Sequence, residues 1–221
     1  MRNIVLILIL SVLPVSLWSQ NKVVYDEDFV FTDGLYLNKE MMQNNKPIDK
    51  ARIKSQFDTE DMTFFEQLTQ ENTITLFDEV GSEVTVKTSS IWGYCSGGVI
   101  FVNYNGFFNR VGIVGSICHF LGTKTYLNSI HDPYPMGMYG GRYGMYAPGY
   151  TTSTEAQQYL MNFATGDILE YNPNNLSSLL MSDSELYDEY ADLSRKKRNA
   201  KIFYYMRKFN EKHPLYVPVY Q

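Results

Sequence analysis

Two cysteines and three histidines are the side chains of this sequence that could support nucleophilic chemistry. The segment Gly93-Tyr-Cys-Ser-Gly97 has the spacing of a nucleophile flanked by two glycines, which requires a strand before it and a helix after it. Here the chain continues instead into the β-branched run Val99 to Val102, which predicts another strand. A hydrolase that uses Cys95 and a histidine is therefore an alternative hypothesis and not the leading one. The candidate bases are His119, His131 and His213.

The cysteines could instead form a disulfide, because an oxidising compartment permits one. Asn105-Gly106 is the strongest hairpin signal in the chain. A two-residue turn there would place Cys95 opposite Ser116 and Cys118 one diagonal step away, at the limit of disulfide reach. Two alternatives stay open: a Cys95–Cys118 bridge, or two small buried side chains.

Tyrosine is concentrated in one stretch, Asp132 to Tyr150, which also holds several glycines, prolines and methionines. Glycine and proline at this density predict a long irregular loop. Its amphipathic rings would meet a protein or stack on a glycan, supported by the sheet beneath them. The predicted binding residues are Tyr134, Tyr139, Tyr143, Tyr146 and Tyr150 of the loop, with Trp92 and Tyr94 of the sheet.

The same stretch contains patterns that resemble ion sites. Met136, Met138 and Met145 with His131 are soft ligands of the kind copper(I) prefers, but methionines in a glycine-rich loop more commonly pack against tyrosine rings. The glycines between 137 and 144 do not form a phosphate loop, because no helix follows them to present its N–H groups. We therefore predict no metal and no cofactor.

The charge balance argues against nucleic acid as a partner. The chain has 19 basic and 24 acidic residues, a formal net charge of −5, whereas phosphate recognition requires a basic surface. The only strong basic run is predicted to be a solvated helix face, with peripheral contact to anionic lipid as the alternative. That run consists of Arg195, Lys196, Lys197 and Arg198.

The N-terminal residues carry the pattern of an export signal. Arg2 precedes an aliphatic run from Ile4 to Leu13, which Pro14 interrupts. The apolar stretch of 15 residues that ends at Trp18 is shorter than the roughly 20 that a spanning helix needs. We predict a signal peptide over residues 1–19, export to the periplasm or cell surface, and no transmembrane segment in the mature chain.

The elements that must position these residues are mostly short strands. Segments with alternating or continuous apolar character, separated by turn residues, run from Val23 to Ile130, and Gln157–Phe163 with Ile168–Tyr171 predicts a further hairpin. Tight turns between sequential strands predict an antiparallel meander over residues 20–171, as a curved sheet or an open barrel.

After Pro173 the apolar spacing becomes helical, which predicts a C-terminal helical segment over residues 172–221, packed on the sheet. Ser182-Asp-Ser-Glu185 has the form of a capping box and predicts a helix start. The helical pattern ends before His213-Pro214. The fold class is therefore α+β: an antiparallel β-meander followed by helices.

Five short motifs, taken together, resemble a group of exported proteins from Bacteroidetes. They are Asp33-Gly-Leu-Tyr-Leu37, Asn44-Asn-Lys-Pro47, Ile91-Trp-Gly-Tyr-Cys95, Gly115-Ser-Ile-Cys-His-Phe120 and Lys208-Phe-Asn-Glu-Lys-His-Pro214. The resemblance covers most of residues 30–130 and the last forty, and implies a shared compartment. No activity is established for that group, so no functional residue is carried over. The leading hypothesis is a non-enzymatic protein that binds a protein or glycan partner at the cell envelope.

Overall fold

The structure is a computed structural model and describes residues 22–26, 28–129 and 150–219. Its strands are β1 (Lys22–Val24), β2 (Gly34–Tyr36), β3 (Ile53–Lys54), β4 (Thr73–Phe77), β5 (Glu83–Lys87), β6 (Gly93–Ser96), β7 (Val99–Tyr104), β8 (Phe107–Ile113), β9 (Ile117–Ser129), β10 (Tyr150–Asn162), β11 (Ile168–Glu170) and β12 (Tyr216–Pro218). Its helices are α1 (Lys39–Gln43), α2 (Phe64–Leu68), α3 (Pro173–Leu180), α4 (Ser184–Ala191), α5 (Arg195–Ala200) and α6 (Ile202–Lys212). None of the helices in these ranges is long and apolar enough to cross a membrane.

The main sheet has seven antiparallel strands in the order β11-β10-β9-β8-β7-β6-β2. Six of them follow one another along the chain, which confirms the predicted antiparallel meander with C-terminal helices. The described part of the sheet is open, with β11 at one edge and β2 at the other. A separate sheet of β3, β4 and β5 is inserted between β2 and β6.

Two tight turns set the strand register in the middle of the sheet. Asn105-Gly106 forms the predicted hairpin, with positive φ values of 55° and 83°, and it pairs Tyr104 with Phe107. A second turn at Gly97-Gly98, with φ values of 58° and 74°, reverses the chain just before β7. Because of this turn Cys95 pairs with Ile100, so the predicted position opposite Ser116 is wrong.

The two faces of the sheet carry different cores, because side chains alternate along each strand. One face holds Cys95, Val102, Phe120 and Tyr159 in a cluster to which Phe31, from the segment before β2, also belongs. The other face packs at its β6–β7 end on α2 and the small sheet, through Tyr94 among others. Its β9–β10 end packs on the helices, with Ile117 and Leu160 contributed by the sheet.

The C-terminal helices attach to the sheet at β9. Asn210 of α6 accepts a hydrogen bond from the backbone N–H of Ile117 and donates one to its carbonyl, each at 2.8 Å. The last β8–β9 pair joins Ile113 to His119, so the Asn210 amide takes the place of a neighbouring strand at Ile117. The helical segment ends at Lys212, just before His213-Pro214 as predicted. Turns at Ser194 and Lys201 divide its second part into three helices, α4, α5 and α6.

Asp183 begins α4 by accepting a hydrogen bond from the N–H of Leu186 at 3.1 Å. The capping-box pattern instead implied Ser182, whose hydroxyl donates to Leu179. Asp183 also pairs with Lys212 at 2.9 Å and His213 at 2.6 Å, and its side chain is only 5% exposed. These long-range partners explain why Asp183 caps the helix.

We expect Asp183→Asn to lower the melting temperature at pH 7, since the amide keeps the cap but loses the ion pairs. Hydrogen bonds from Lys212, then from His213 and the Leu186 N–H, hold the pKa of Asp183 well below its usual value of 3.8. A lowered pKa contributes stability that is present above about pH 4 and is lost below it. The difference from the wild type should therefore shrink as the pH falls from 4 towards 2 in thermal unfolding.

The control for this prediction is Asp188→Asn, an exposed carboxylate on the same helix. It should leave the melting temperature almost unchanged at every pH. A constant gap between wild type and Asp183→Asn down to pH 2 would contradict the assignment.

The first and last described strands pair with each other. Lys22 lies opposite Pro218 and Val24 opposite Tyr216 in an antiparallel pair. This strand near the C-terminus was not predicted from the sequence, because its three residues follow the helices with no periodic pattern. The predicted boundary between the β domain, residues 20–171, and the C-terminal helical segment, residues 172–221, stays a prediction.

Candidate functional site

A groove of about 1050 Å³ lies between α2 and the face of the main sheet formed by β6, β7 and β8. It extends from Ser96 and Gly97 at one turn to Gly106 and Phe107 at the other. It therefore follows the full length of β7, which is about 20 Å for a six-residue strand. The loop after α2, from Thr69 to Asn72, lines the opposite side.

The floor of the groove is aromatic because β6 and β7 pair in register. Tyr94 lies opposite Phe101, and their rings stack with centroids 4.6 Å apart. Phe65 of α2 stacks on Tyr94 at 5.4 Å, and Phe108 lies 5.5 Å from it. Phe107 at the end of the groove is 49% exposed, but it pairs with Tyr104, whose ring contacts Tyr159 in the core of the opposite face, so the Phe107 ring lies on that face.

Tyr94 is the polar group on this floor. The residue is 5% exposed, yet its hydroxyl has no hydrogen-bond partner among the described residues. Burial, and then the charge of Glu66, raise the pKa of Tyr94 to about 12, so the phenol keeps its proton at neutral pH. The hydroxyl is thus available to a ligand in the groove.

Other buried tyrosines provide a comparison. Tyr36 donates to the carbonyl of Thr32, Tyr190 to that of Arg198, and Tyr205 to Glu189. Tyr159 shares with Tyr94 a buried ring and a hydroxyl unpaired within the described chain, but it belongs to the core on the opposite face of the sheet.

The charged residues around the groove are weighted towards acid. Glu60, Glu66 and Glu71 lie on or near α2, against Lys50 and Arg110. The Lys50 ammonium is already occupied, since it donates to the carbonyl of Thr59 at 2.7 Å and lies 5.5 Å from the centre of the Phe65 ring.

Asp33 also lines the groove but has a structural role. Its carboxylate accepts hydrogen bonds from the N–H groups of Gly97 at 3.0 Å and Gly98 at 3.1 Å. It therefore fixes the β6–β7 turn that brings Tyr94 beside Phe101.

Cys95 is buried beneath that turn and is not activated. Its thiol lies 3.5 Å from Oδ1 of Asp33 and 3.6 Å from the carbonyl of Phe31. Burial, and then the charge of Asp33, raise the pKa of the Cys95 thiol well above its usual value, which disfavours the nucleophilic thiolate.

Two of the three histidines have other partners. His119 bonds to Gln158 at 3.0 Å and His213 to Asp183 at 2.6 Å, and His131 lies outside the described residues. Within the described chain, no histidine forms a hydrogen bond with the Cys95 thiol.

The two cysteines are separate, buried free thiols, so of the two alternatives the structure has the small buried side chains and not the bridge. Cys118 bonds to the carbonyl of Gly115 at 3.2 Å. The strands β7 and β8 lie between β6, which holds Cys95, and β9, which holds Cys118. The bridge geometry depended on a straight strand through Cys95, and the Gly97-Gly98 turn removes it.

The structure brings only part of the predicted aromatic surface to the groove. Tyr94 lies on the groove floor, whereas Trp92 packs against the core of the opposite face. Tyr150 is the first residue of β10, opposite Ser129. The predictions for Tyr134, Tyr139, Tyr143 and Tyr146 fall outside the described residues, as do Met136, Met138 and Met145.

Two further predictions concern metal binding and the basic run. The sequence predicted no metal site, and it predicted a solvated helix face for the basic run. In the ranges that the structure describes, no three His, Cys, Asp or Glu side chains are grouped to hold a metal ion. Arg195, Lys196, Lys197 and Arg198 form most of α5. The upstream carboxylate Glu189 pairs with Lys208 of α6, and the described ion pairs do not include α5.

Sequence reasoning missed the groove itself and its contributors Lys50, Phe65, Phe107 and Arg110. The available signal was the alternation of aromatic residues on one face of β6, β7 and β8, at Tyr94, Phe101 and Phe108. That face is covered by α2 and the small sheet, which lie between β2 and β6 in the chain. No local sequence pattern indicates that these elements pack there.

Comparison with known proteins adds one match. A family model with the description Family of unknown function (DUF6563) matches residues 34–213. No curated protein and no solved structure matches the chain. The matched segment includes every strand and helix that lines the groove.

Proposed function

The chain belongs to this family of unknown function, and from its residues we propose that it is an exported, non-enzymatic protein that binds a partner at the cell envelope. The partner is an envelope protein or a glycan, and the groove between α2 and β6–β8 is the contact surface. The predicted aromatic loop 132–150 stays a second proposed contact surface, on the evidence of its sequence alone.

The observation that carries the proposal is the hydroxyl of Tyr94, which lines the groove and forms no hydrogen bond with the described residues. It is not among the buried side-chain atoms that lack a partner, so it is reached from the solvent and is open to a ligand in the groove. This hydroxyl lies in a long concave surface that combines the rings of Phe101 and Phe108 with many polar and charged side chains, and polar groups that converge in a concave surface are typical of binding sites.

Export is supported by the N-terminal pattern. The aliphatic run after Arg2 has the length and the charged start of a signal peptide. The motifs of the resemblance, among them Ile91-Trp-Gly-Tyr-Cys95, favour the same compartment, since they resemble those of exported proteins from Bacteroidetes. We propose the periplasm or the cell surface as the compartment.

The hydrolase alternative receives no support from the described residues. A nucleophilic cysteine must be a thiolate beside a base. The Cys95 thiol is instead buried next to the negative charge of Asp33. We therefore do not propose catalysis at this position.

A secondary part of the proposal is peripheral contact between α5 and anionic lipid. It is supported by the charge of α5 and by the absence of described ion pairs that would neutralise it.

The test is photochemical crosslinking of the full chain in native envelopes, with Asn72→Ala as the groove variant. Asn174→Ala is the matched control, because Asn174 is a similarly exposed asparagine on α3. We expect processed chain in the envelope fraction, and crosslinked peptide or sugar that Asn72→Ala reduces and Asn174→Ala does not. An unprocessed cytoplasmic chain, or equal crosslinking by both variants, would refute the proposal.

A further inference from the structure

We propose that two copies of this chain pair through the outer edge of β10, in an antiparallel arrangement centred on Thr154. This inference goes beyond the proposed function and does not depend on it, because it concerns a part of the sheet away from the β6–β8 floor of the groove. It follows from the length of the unpaired edge, the direction of its backbone groups and the pattern of its side chains.

The unpaired edge of β10 is long. All 13 residues of β10 pair with β9, whereas β11 covers the other side of β10 only from Tyr159 to Met161. In the described part of the chain, no strand lies beside this outer edge over residues 150–157. Eight residues of strand extend over about 26 Å. An exposed edge of this length is a template for pairing with another chain.

The backbone of this edge is oriented for such pairing. The N–H of Tyr171 donates to the carbonyl of Gln158 at 2.9 Å, so the backbone groups of Gln158 point away from β9. The β9–β10 register is continuous, and in an antiparallel pair this direction repeats at every second residue. Thr152, Thr154 and Ala156 therefore point outward too. Their N–H and carbonyl groups form no hydrogen bonds with described residues, so three donors and three acceptors are available.

Other sheet edges of the described chain are protected. β2, at the far edge of the main sheet, has three residues, and Leu35 exchanges backbone hydrogen bonds with Ile48 at 3.0 and 2.7 Å. β5, an edge of the small sheet, carries Glu83 and Lys87. Short strands, lysine and proline are the usual means of preventing edge pairing. Residues 152–157 of β10 include neither lysine nor proline.

The side chains of β10 suit a two-fold pair with a second copy. When the pair is centred on Thr154, each outward residue exchanges hydrogen bonds with an outward residue of the other copy. Thr125 of β9 lies opposite Thr154, so the pair aligns four threonines on one face, two from each copy. Threonines opposite each other on neighbouring strands stabilise a sheet. The small sheet contains such a pair, with the hydroxyls of Thr75 and Thr85 3.2 Å apart.

The charge pattern favours the same register. Glu155 is the only charged residue between positions 152 and 157, and it lies opposite Lys124 of its own β9. In the proposed pair its other neighbour is the uncharged Ser153 of the second copy. A pair centred on Glu155 would instead place two carboxylates directly opposite each other, which is destabilising. The edge is thus complementary to itself in charge when Thr154 is at the centre.

The first experiment is sedimentation velocity of the full chain over a series of concentrations. An edge pair buries less surface than a standard interface, so we expect a monomer–dimer equilibrium in the micromolar range. Thr154→Lys places two ammonium groups opposite each other and should raise the dissociation constant about tenfold or more. Thr85→Lys is the matched control, an exposed threonine on the edge strand β5, and should associate as the wild type does. Both variants should keep the melting temperature.

The second experiment tests the register by crosslinking Thr154→Cys with a bismaleimide that spans roughly 10 Å, about two strand spacings. The two copies of position 154 would face each other with Cα atoms about 5.5 Å apart. Thr152→Cys is the control, because its two copies would lie four residues apart along the pair, about 14 Å. Only Thr154→Cys should give a covalent dimer, and Cys95 and Cys118 are buried.

Three results would overturn the inference. They are a wild-type chain that stays monomeric at every concentration, a dimer that Thr154→Lys weakens no more than Thr85→Lys does, and equal crosslinking of the two cysteine variants. A monomeric wild type that binds an extended peptide along β10 would also overturn it, and would assign the edge to a different chain.

Discussion

Replacing Phe65 with alanine is expected to lower the free energy of unfolding by about 3–5 kcal/mol, the range for a fully buried phenylalanine. Phe65 is 1% exposed and lies where α2 and the small sheet pack on the main sheet. It stacks on Tyr94 at 5.4 Å and contacts Phe64 edge-on at 5.2 Å. Its removal leaves a cavity and also breaks the stack of rings that supports the groove.

Chemical denaturation monitored by circular dichroism measures this change, with Phe107→Ala as the control. Phe107 is half exposed, so its truncation should change stability by about 0.5 kcal/mol at most. A loss of unfolding free energy below about 1 kcal/mol for Phe65→Ala would show that the packing of α2 on the main sheet does not depend on the Phe65 ring.

The second large effect is expected from Asn210→Ala, with a loss of about 2–6 kcal/mol in the free energy of unfolding. The change removes both hydrogen bonds to Ile117 and leaves its N–H and carbonyl without partners at a buried position, at about 1–3 kcal/mol each. Because those bonds join α6 to β9, the helices should also lose protection. Hydrogen exchange across α6, compared with β7, measures that loss.

The control is Asn199→Ala, an exposed asparagine on α5, which should change stability by about 0.5 kcal/mol at most. Gly115→Ala tests the same contact from the other side. A methyl group at Gly115 would lie 2.4 Å from the Asn210 amide nitrogen, so it must displace that amide. If Gly115→Ala is as stable as the wild type, the contact between α6 and β9 is not placed as described.

Local patterns were sufficient where the determinant is local. Asn105-Gly106 predicted its hairpin because few residue pairs adopt two positive φ values, and the structure has both. The helical pattern stopped at His213-Pro214 because proline cannot continue it. The pairing of β10 with β11 was predicted from the turn residues between them.

The failures have a common physical origin in long-range contacts. The turn at Gly97-Gly98 was masked by the apolar run after it, and Asp33, 64 positions away from Gly97, stabilises it. Asp183 and Ser182 are both good caps, and Lys212 with His213 favours the first. The groove depends on packing between α2 and β6, which are separate in the chain.

The pairing of β1 with β12 has a consequence for the order in which the protein is made. A ribosome makes β1 roughly 10–40 s before β12 at usual elongation rates. During that interval the backbone of Val23 and Val24 lacks the partner strand that it has in the fold. The β1–β12 pair therefore forms only after the segment up to Pro218 has been made, whereas the hairpins of the main sheet join strands that are made in succession.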